Sequence, residues 1–399
     1  MLATYRRILS RPGTALFSAT GLVARLPIAM VGLGIVLLVE AASGSNGVAG
    51  AVSAAHLLAN AAFAILQGRL IDRLGQSRVL PVVITAWGVA LSLLMWSVES
   101  DWPILLTYLF AALAGAALPS VGTCVRARWS YVTRDPDELQ TAFALEAVAD
   151  EAVFITGPIL VTVLATAVHP VAGLTTALVA GLLGTYAFAA QRRTEPPTHT
   201  RAASSSDRPR IPWETLVPLA VVSTALGLLF GAAEVATVAF AEERGAKAYA
   251  GVLLALWAAG SLIAGVLTGA VTWRRGPDHR LRWGARAMTV AMVPLTFIDS
   301  MVVMGAVLFV AGFAIAPTLI ATMSLSEKVL PASRLTEGMA FLQTGLVAGV
   351  APGAALAGVV IDSQGASAAY LVPAAGGLLA LLAAQAIRPI VVPEVVTRD

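Results

Sequence analysis

Long apolar stretches separated by short polar turns constrain this chain more than any other feature. A helix that crosses the hydrocarbon core of a bilayer needs about 20 consecutive apolar residues. Only 12% of the residues are charged and the mean hydropathy is +0.82, whereas soluble domains carry about 25% charged residues. The pattern therefore predicts an all-α integral membrane protein. Twelve spans are expected at residues 15–40, 47–67, 79–98, 103–125, 139–167, 171–190, 214–240, 248–272, 284–299, 301–323, 338–361 and 367–387.

The basic residues predict how these spans are oriented. With the N-terminus inside, all of the 26 Lys and Arg residues except Arg25, Arg244 and Lys247 fall at the cytoplasmic ends of spans or in cytoplasmic connections. Cytoplasmic loops of membrane proteins carry this excess of positive charge. We therefore expect a multi-pass protein of a bacterial cytoplasmic membrane, with both termini in the cytoplasm.

The chain divides into two similar parts. Residues 191–213 form the longest polar segment, rich in Pro, Ser and Arg, and six predicted spans lie on each side of it. Leu109-Phe110 followed by Pro119 recurs as Leu308-Phe309 followed by Pro317. The expected organisation is an N-terminal bundle at 1–190, a cytoplasmic linker at 191–213 and a C-terminal bundle at 214–399. Two six-helix bundles related by a parallel repeat place a central site between them, although chance similarity between apolar helices also explains the repeat.

One motif identifies a family. The connection between the second and third predicted spans reads Gly68-Arg69-Leu70-Ile71-Asp72-Arg73-Leu74-Gly75-Gln76-Ser77-Arg78. It resembles the G-x-L-x-D-R-x-G-x-x-R signature of the major facilitator superfamily and stands in that family's expected connection. The resemblance implies two pseudo-symmetric six-helix bundles and a gating role for Gly68, Asp72, Arg73, Gly75 and Arg78. In the family this motif holds the cytoplasmic side closed in the outward-open state.

The fourth span departs from the drug–proton antiporters of that family. Those proteins carry an Arg three residues ahead of a Gln-Gly pair, whereas this chain has Ala111 and Ala114 at the Arg and Gln positions. Their glycine-rich motif in the fifth span survives here only as Gly157-Pro158. These departures argue against the usual proton relay of these antiporters and direct attention to other charged residues within the spans.

Charged side chains at mid-membrane are the candidates for that role, because they are costly to insert. Arg25 lies within the first span, and Glu146, Asp150 and Glu151 lie within the fifth. Glu146 and Asp150 share a helical face, and Glu151 points about 100° away from Asp150. We expect ion pairs with Arg25 and with Arg126 or Arg128 at the end of the fourth span. One carboxylate then exchanges a proton, with Arg25 as its counter-charge. A fixed ion-pair lattice that joins the helices is the alternative.

Glu234 is the one acidic residue deep within the second half. It either contacts substrate from the opposite bundle or is hydrated near the outer end of its span. Sequence motifs of ATPases, metallohydrolases and serine hydrolases are missing from the chain, so we expect no enzyme, no metal and no cofactor, with the proton gradient as the energy source.

These features predict a secondary active transporter that exports a small molecule in exchange for protons by alternating access. A proton-coupled or facilitative importer of a sugar or organic acid is the second hypothesis. A non-transporting sensor or partner protein, of another class altogether, is the third. The expected partners are a small-molecule substrate and the lipid bilayer, with no nucleic acid, and the protein is expected to act as a monomer.

Overall fold

The computed structural model describes residues 2–44, 46–198, 211–246, 249–271, 273 and 275–387. Lys247, which was predicted to face outside, and residues 199–210 of the predicted linker lie outside the described residues. Every regular element of the described part is a helix. Eleven of its helical stretches are long and apolar enough to cross a membrane. The protein is therefore the all-α, multi-pass membrane protein that the sequence predicted.

A short helix and six transmembrane elements make up the first half of the chain. The short helix is α1 (Leu2–Leu9), and the fourth transmembrane element is two helices in line. The other helices are α2 (Thr14–Ser43), α3 (Asn46–Leu74), α4 (Gln76–Glu99), α5 (Ile104–Ala117), α6 (Val121–Val132), α7 (Pro136–Ala167) and α8 (Ala172–Ala189), after which a 3₁₀ turn spans Arg192–Thr194. This order matches the six predicted spans of the first half.

The second half repeats this order. Its helices are α9 (Trp213–Glu243), α10 (Ala250–Ala270), α11 (Pro277–Met292) with a 3₁₀ extension (Val293–Phe297), α12 (Met301–Gly312), α13 (Ile315–Val329), a 3₁₀ turn (Ala332–Arg334), α14 (Leu335–Gln364), α15 (Ala366–Ala369) and α16 (Leu371–Ala386). The fourth element of each half is broken near a proline, at Pro119 between α5 and α6 and at Pro317 beside the junction of α12 and α13. The corresponding breaks agree with two pseudo-symmetric halves of six helices.

Two details differ from the prediction. The ninth span was expected at 284–299, but α11 begins at Pro277 and carries Arg280, Arg282 and Arg286, so this element is not among the eleven strongly apolar stretches. It still packs against α13 and α16 within the second half. The signature was expected to be a connection, but α3 continues through it to Leu74 and α4 begins at Gln76. Gly75, with φ +94°, forms the whole turn, a conformation that favours glycine.

The halves meet along a few helices and are closed at one end. We call the end where α3 meets α4 and α6 meets α7 the basic end, and the opposite end the far end. α3 packs against α14, and α7 packs against α10 and α13. Near the basic end α7 is buried at almost every residue between 138 and 146, but towards the far end only at every fourth residue. α14 shows the same change after residue 342. A cleft between the halves therefore opens towards the far end.

Glycines allow the helices of the second half to approach closely. A Cβ at Gly349 of α14 would lie 2.0 Å from the carbonyl oxygen of Thr224 on α9, whereas a Cβ at Gly358 of α14 would have nothing within 4 Å. We expect Gly349→Ala to force α9 and α14 apart and to lower stability by about 1–3 kcal/mol, the usual cost of overpacking. Thermal unfolding in detergent measures the change.

The matched control is Gly358→Ala, which adds the same methyl group to the same helix in open space. Its melting temperature should equal that of the wild type. Equal melting temperatures for the two variants would contradict the close α9–α14 contact.

Candidate functional site

A buried network of four charges joins three helices of the first half. Arg25 of α2 contacts Glu146 and Asp150 of α7, with Nη2 2.5 Å from Oε2 of Glu146 and Nη1 2.6 Å from Oδ1 of Asp150. Arg126 of α6 contacts the other oxygen of Asp150 at 2.5 Å. The network holds two positive and two negative groups, so its formal charge is zero. The sequence predicted that these residues meet, and the structure brings them together.

Glu146 is the fixed end of this network. Its side chain is fully buried, and its oxygens accept hydrogen bonds from Ser18 Oγ and Trp129 Nε1, each at 2.8 Å, in addition to Arg25. Arg25 also donates from Nε to the carbonyl oxygen of Gly21 at 3.0 Å. These hydrogen bonds from Ser18 and Arg25 of α2 and from Trp129 of α6 tie both helices to α7 through one carboxylate.

Arg128 does not join the network, contrary to one of the two predicted pairings. Its side chain is fully buried and donates to Gln76 Oε1 at 2.7 Å, to the carbonyl oxygen of Gln191 at 2.9 Å and to Thr194 Oγ1 at 3.0 Å. Its guanidinium lies 3.9 Å from the centre of the Phe188 ring. Residues 126 and 128 are two positions apart on a helix and so face different neighbours. Arg128 instead fastens the start of α4 to the segment that follows α8.

Glu151 lies apart from its neighbour Asp150 and faces the second half. It is half-buried, and Ser261 Oγ of α10 donates to its Oε2 at 3.4 Å. Within the described part of the chain Glu151 forms no ion pair. The adjacent positions 150 and 151 therefore have different environments, because one points into the N-terminal bundle and the other points across the interface between the halves.

The signature residues close the basic end. Asp72 Oδ2 accepts a hydrogen bond from the backbone N–H of Glu337 at 2.9 Å, at the first turn of α14. Negative charge at a helix N-terminus is stabilised by the unpaired N–H groups and the helix dipole. A Cβ at Gly68 would lie 3.0 Å from the carbonyl oxygen of Thr336, so glycine allows the helices to approach here. Arg73 and Arg78 are exposed.

Sequence reasoning missed the strongest charge contact of this closure. Arg69, within the signature, contacts Glu337 at 2.8 Å, and Arg334 contacts the same carboxylate at 3.1 Å. Glu195, just after α8, accepts a hydrogen bond from the backbone N–H of Ser77 at the start of α4, at 2.9 Å. The sequence does contain a signal for this contact, because Glu337 is an acidic residue in the first turn of the eleventh span. Glu195 gave no such signal, because only the folded chain brings it beside Gly75.

Glu234 stands on α9 towards the far end, exposed, and in contact with none of the four charges described above. Among the residues that the structure describes, it forms no ion pair and no hydrogen bond. The structure thus separates the predicted acidic residues into two kinds. Glu146 and Asp150 are paired within the first half, whereas Glu151 and Glu234 have no cationic partner in the part of the chain that the structure describes.

The comparisons with known proteins agree with this architecture. The family model of the Major Facilitator Superfamily matches residues 17–318 and 236–398. The chain belongs to this superfamily of membrane transporters. A search of curated protein sequences finds no significant match.

Solved transporters share the fold at low sequence identity. The human organic anion transporter MFSD10 (TETRAN) has a TM-score of 0.73 at 17% identity, covering 95% of this chain and 99% of that chain. A bacterial homologue of the iron transporter ferroportin, in its outward-facing state, has a TM-score of 0.75 at 14% identity, covering 93% and 98%. The transporter FucP, in its outward conformation, has a TM-score of 0.70 at 13% identity, covering 95% and 99%.

The buried network generates a stability prediction. Arg25→Leu leaves Glu146 without its cation, and breaking a buried ion pair costs about 3–5 kcal/mol. The double variant Arg25→Leu/Glu146→Gln removes both charges, keeps an acceptor for Trp129 and Ser18, and leaves the Arg126–Asp150 pair in place. We expect the double variant to melt well above Arg25→Leu in detergent. A double variant that melts at or below the single variant would contradict the pairing.

Proposed function

We propose that this protein is a secondary active transporter that exports a small molecule in exchange for protons by alternating access between its two halves. The observation that carries the proposal is Glu151, a carboxylate at the interface of the halves that has no ion pair among the described residues and that Ser261 of the opposite half contacts. A group whose partners lie on the opposite half changes its surroundings when the halves move, and such a group couples protonation to the motion.

Asp150 is less suited to that role. Its two oxygens contact two different guanidinium groups, those of Arg25 and Arg126, and all three residues belong to the same half. Protonation of Asp150 would leave two arginines with less compensating charge in a buried setting, which is costly. We therefore assign proton exchange to Glu151, and to Asp150 and Glu146 the task of holding Arg25 and α7 in position.

The closed basic end fits one state of such a cycle. The contacts of Asp72 and Arg69 with the start of α14 join the halves there, while the cleft opens towards the far end. The positive-inside pattern assigns the basic end to the cytoplasm of a bacterial cell, so that both termini are cytoplasmic and the cleft faces outward. Two of the similar transporter structures are outward-facing, which supports this assignment. Each half contributes one wall, so a monomer suffices for the cycle.

Export is supported by the strength of the signature in exporters of the family, and import is the runner-up. A structural neighbour is a fucose:proton symporter, so proton-coupled uptake of a sugar or organic acid uses the same fold. Collapse of the proton gradient by an uncoupler discriminates between them, because it raises the internal level of an exported substrate and lowers that of an accumulated one. Binding without flux in proteoliposomes would favour a sensor instead.

Glu151→Gln provides the direct test. Proteoliposomes with an imposed pH gradient are screened with labelled organic cations, sugars and organic acids, and the compound that is transported is then used with the variants. We expect Glu151→Gln to abolish gradient-driven transport, because the amide cannot release a proton. Exchange of labelled for unlabelled substrate without a gradient should persist, because the halves still move.

The matched control is Glu99→Gln, which neutralises an exposed carboxylate at the end of α4. It should transport like the wild type. Gradient-driven transport of normal rate in Glu151→Gln, at equal expression, would overturn the assignment of the coupling site.

A further inference from the structure

Glu234 faces the cleft between the halves. On α9, Gly227 and Gly231 pack directly against the backbone of α14, and Phe230 packs edge-on against Trp257 of α10 with ring centres 5.8 Å apart. Position 234 lies three residues after Gly231 and four after Phe230, and so falls between these two contact faces. Because α10 and α14 both contact the first half, the side chain of Glu234 is directed towards that half.

Glu151 stands on the opposite wall of the same space. It contacts Ser261 of α10 at 3.4 Å, and Trp257 lies one helical turn before Ser261 on the same face of α10. The turn from Ser261 to Trp257 runs towards the far end, where the cleft opens. Trp257 and Phe230 therefore lie along the path between the carboxylates of Glu151 and Glu234.

The charged groups beside the path between Glu151 and Glu234 do not balance to zero. The network of Arg25, Arg126, Glu146 and Asp150 is neutral by itself, whereas Glu151 and Glu234 have no ion pair among the described residues. A cleft with low-dielectric walls and charge of one sign concentrates ligands of the opposite sign. Two carboxylates disfavour an anionic substrate, which speaks against an organic acid.

The aromatic residues add a second, independent feature. Trp257 is only 8% exposed, yet its indole Nε1 has no hydrogen-bond partner in the described part of the chain. A buried indole N–H usually finds an acceptor, so Trp257 carries an unpaired donor beside the path between the two carboxylates. The faces of Trp and Phe rings also attract cations, and Trp does so best.

We propose that the cleft binds an organic cation with an aromatic or alkyl body between Glu151 and Glu234, with Trp257 and Phe230 contacting the body. The proposal rests on the transport function above and narrows it to one substrate class. Glu234 supplies charge attraction at the open side of the site. Glu151 lies at its closed side, so a bound cation and a proton compete for the same carboxylate, which is the competition that an exchanger requires.

Equilibrium binding tests the proposed cation site without any proton gradient. Tetraphenylphosphonium and tetraphenylborate have nearly the same shape and opposite charge, and each is titrated calorimetrically into the purified protein in detergent, with empty micelles subtracted. We expect the cation to bind at least roughly tenfold more tightly than the anion, a preference that corresponds to about 1.4 kcal/mol. Glu234→Gln should remove most of that preference for the cation, and Trp257→Leu should weaken binding of the cation severalfold.

Asp362→Asn is the matched control, because it neutralises an exposed carboxylate at the far end of α14. It should keep the wild-type preference. Equal binding of the two ions by the wild type, or a preference that persists in Glu234→Gln, would overturn the site, even where Glu151→Gln abolishes proton-driven transport. Preferential cation binding without any flux in proteoliposomes would support the site and count against the transport function instead.

Discussion

The structure depends on the requirement that a charge within the hydrocarbon region has a partner. Arg25 meets this requirement through Glu146 and Asp150, and Asp150 shares its second oxygen with Arg126. These contacts join α2, α6 and α7 into one unit. They also pair the charges of the two carboxylates within the first half. Glu151 and Glu234 have no ion pair among the described residues, and the proposed function assigns exchange with solvent or substrate to them.

The same principle governs the closed end. The unpaired N–H groups at the start of α14 are met by Asp72 from the other half, and Arg69 meets the carboxylate of Glu337. These contacts are polar and lie at one end of the molecule, so in the proposed cycle water replaces them at modest cost. The buried network, by contrast, lies within one half. The proposed cycle therefore breaks the contacts at the closed end and leaves the buried network intact.

Much of the fold was predictable because hydropathy, the distribution of positive charge and the signature can each be recognised within short stretches of sequence. The spans follow from hydropathy and the two halves from the long polar segment between them. The meeting of Arg25 with the carboxylates of α7 follows from the cost of leaving charges unpaired within the membrane. The pairing of Arg128 was wrong, since a two-residue step on α6 turns it towards Gln76 and away from α7. Arg69–Glu337 and Glu195–Ser77 join positions more than one hundred residues apart, and only tertiary packing creates them. The start of α11 was missed because its first turns are basic.

The central claim of the proposed function is that Glu151, and not a carboxylate of the buried network, exchanges a proton. Infrared difference spectroscopy of the purified protein across a pH step measures this directly, because a protonated carboxyl group has its own carbonyl band. The account predicts that part of this band disappears in Glu151→Gln and that none of it disappears in Glu146→Gln or Asp150→Asn variants that remain folded. A band that persists in Glu151→Gln and is lost in Asp150→Asn would contradict the account.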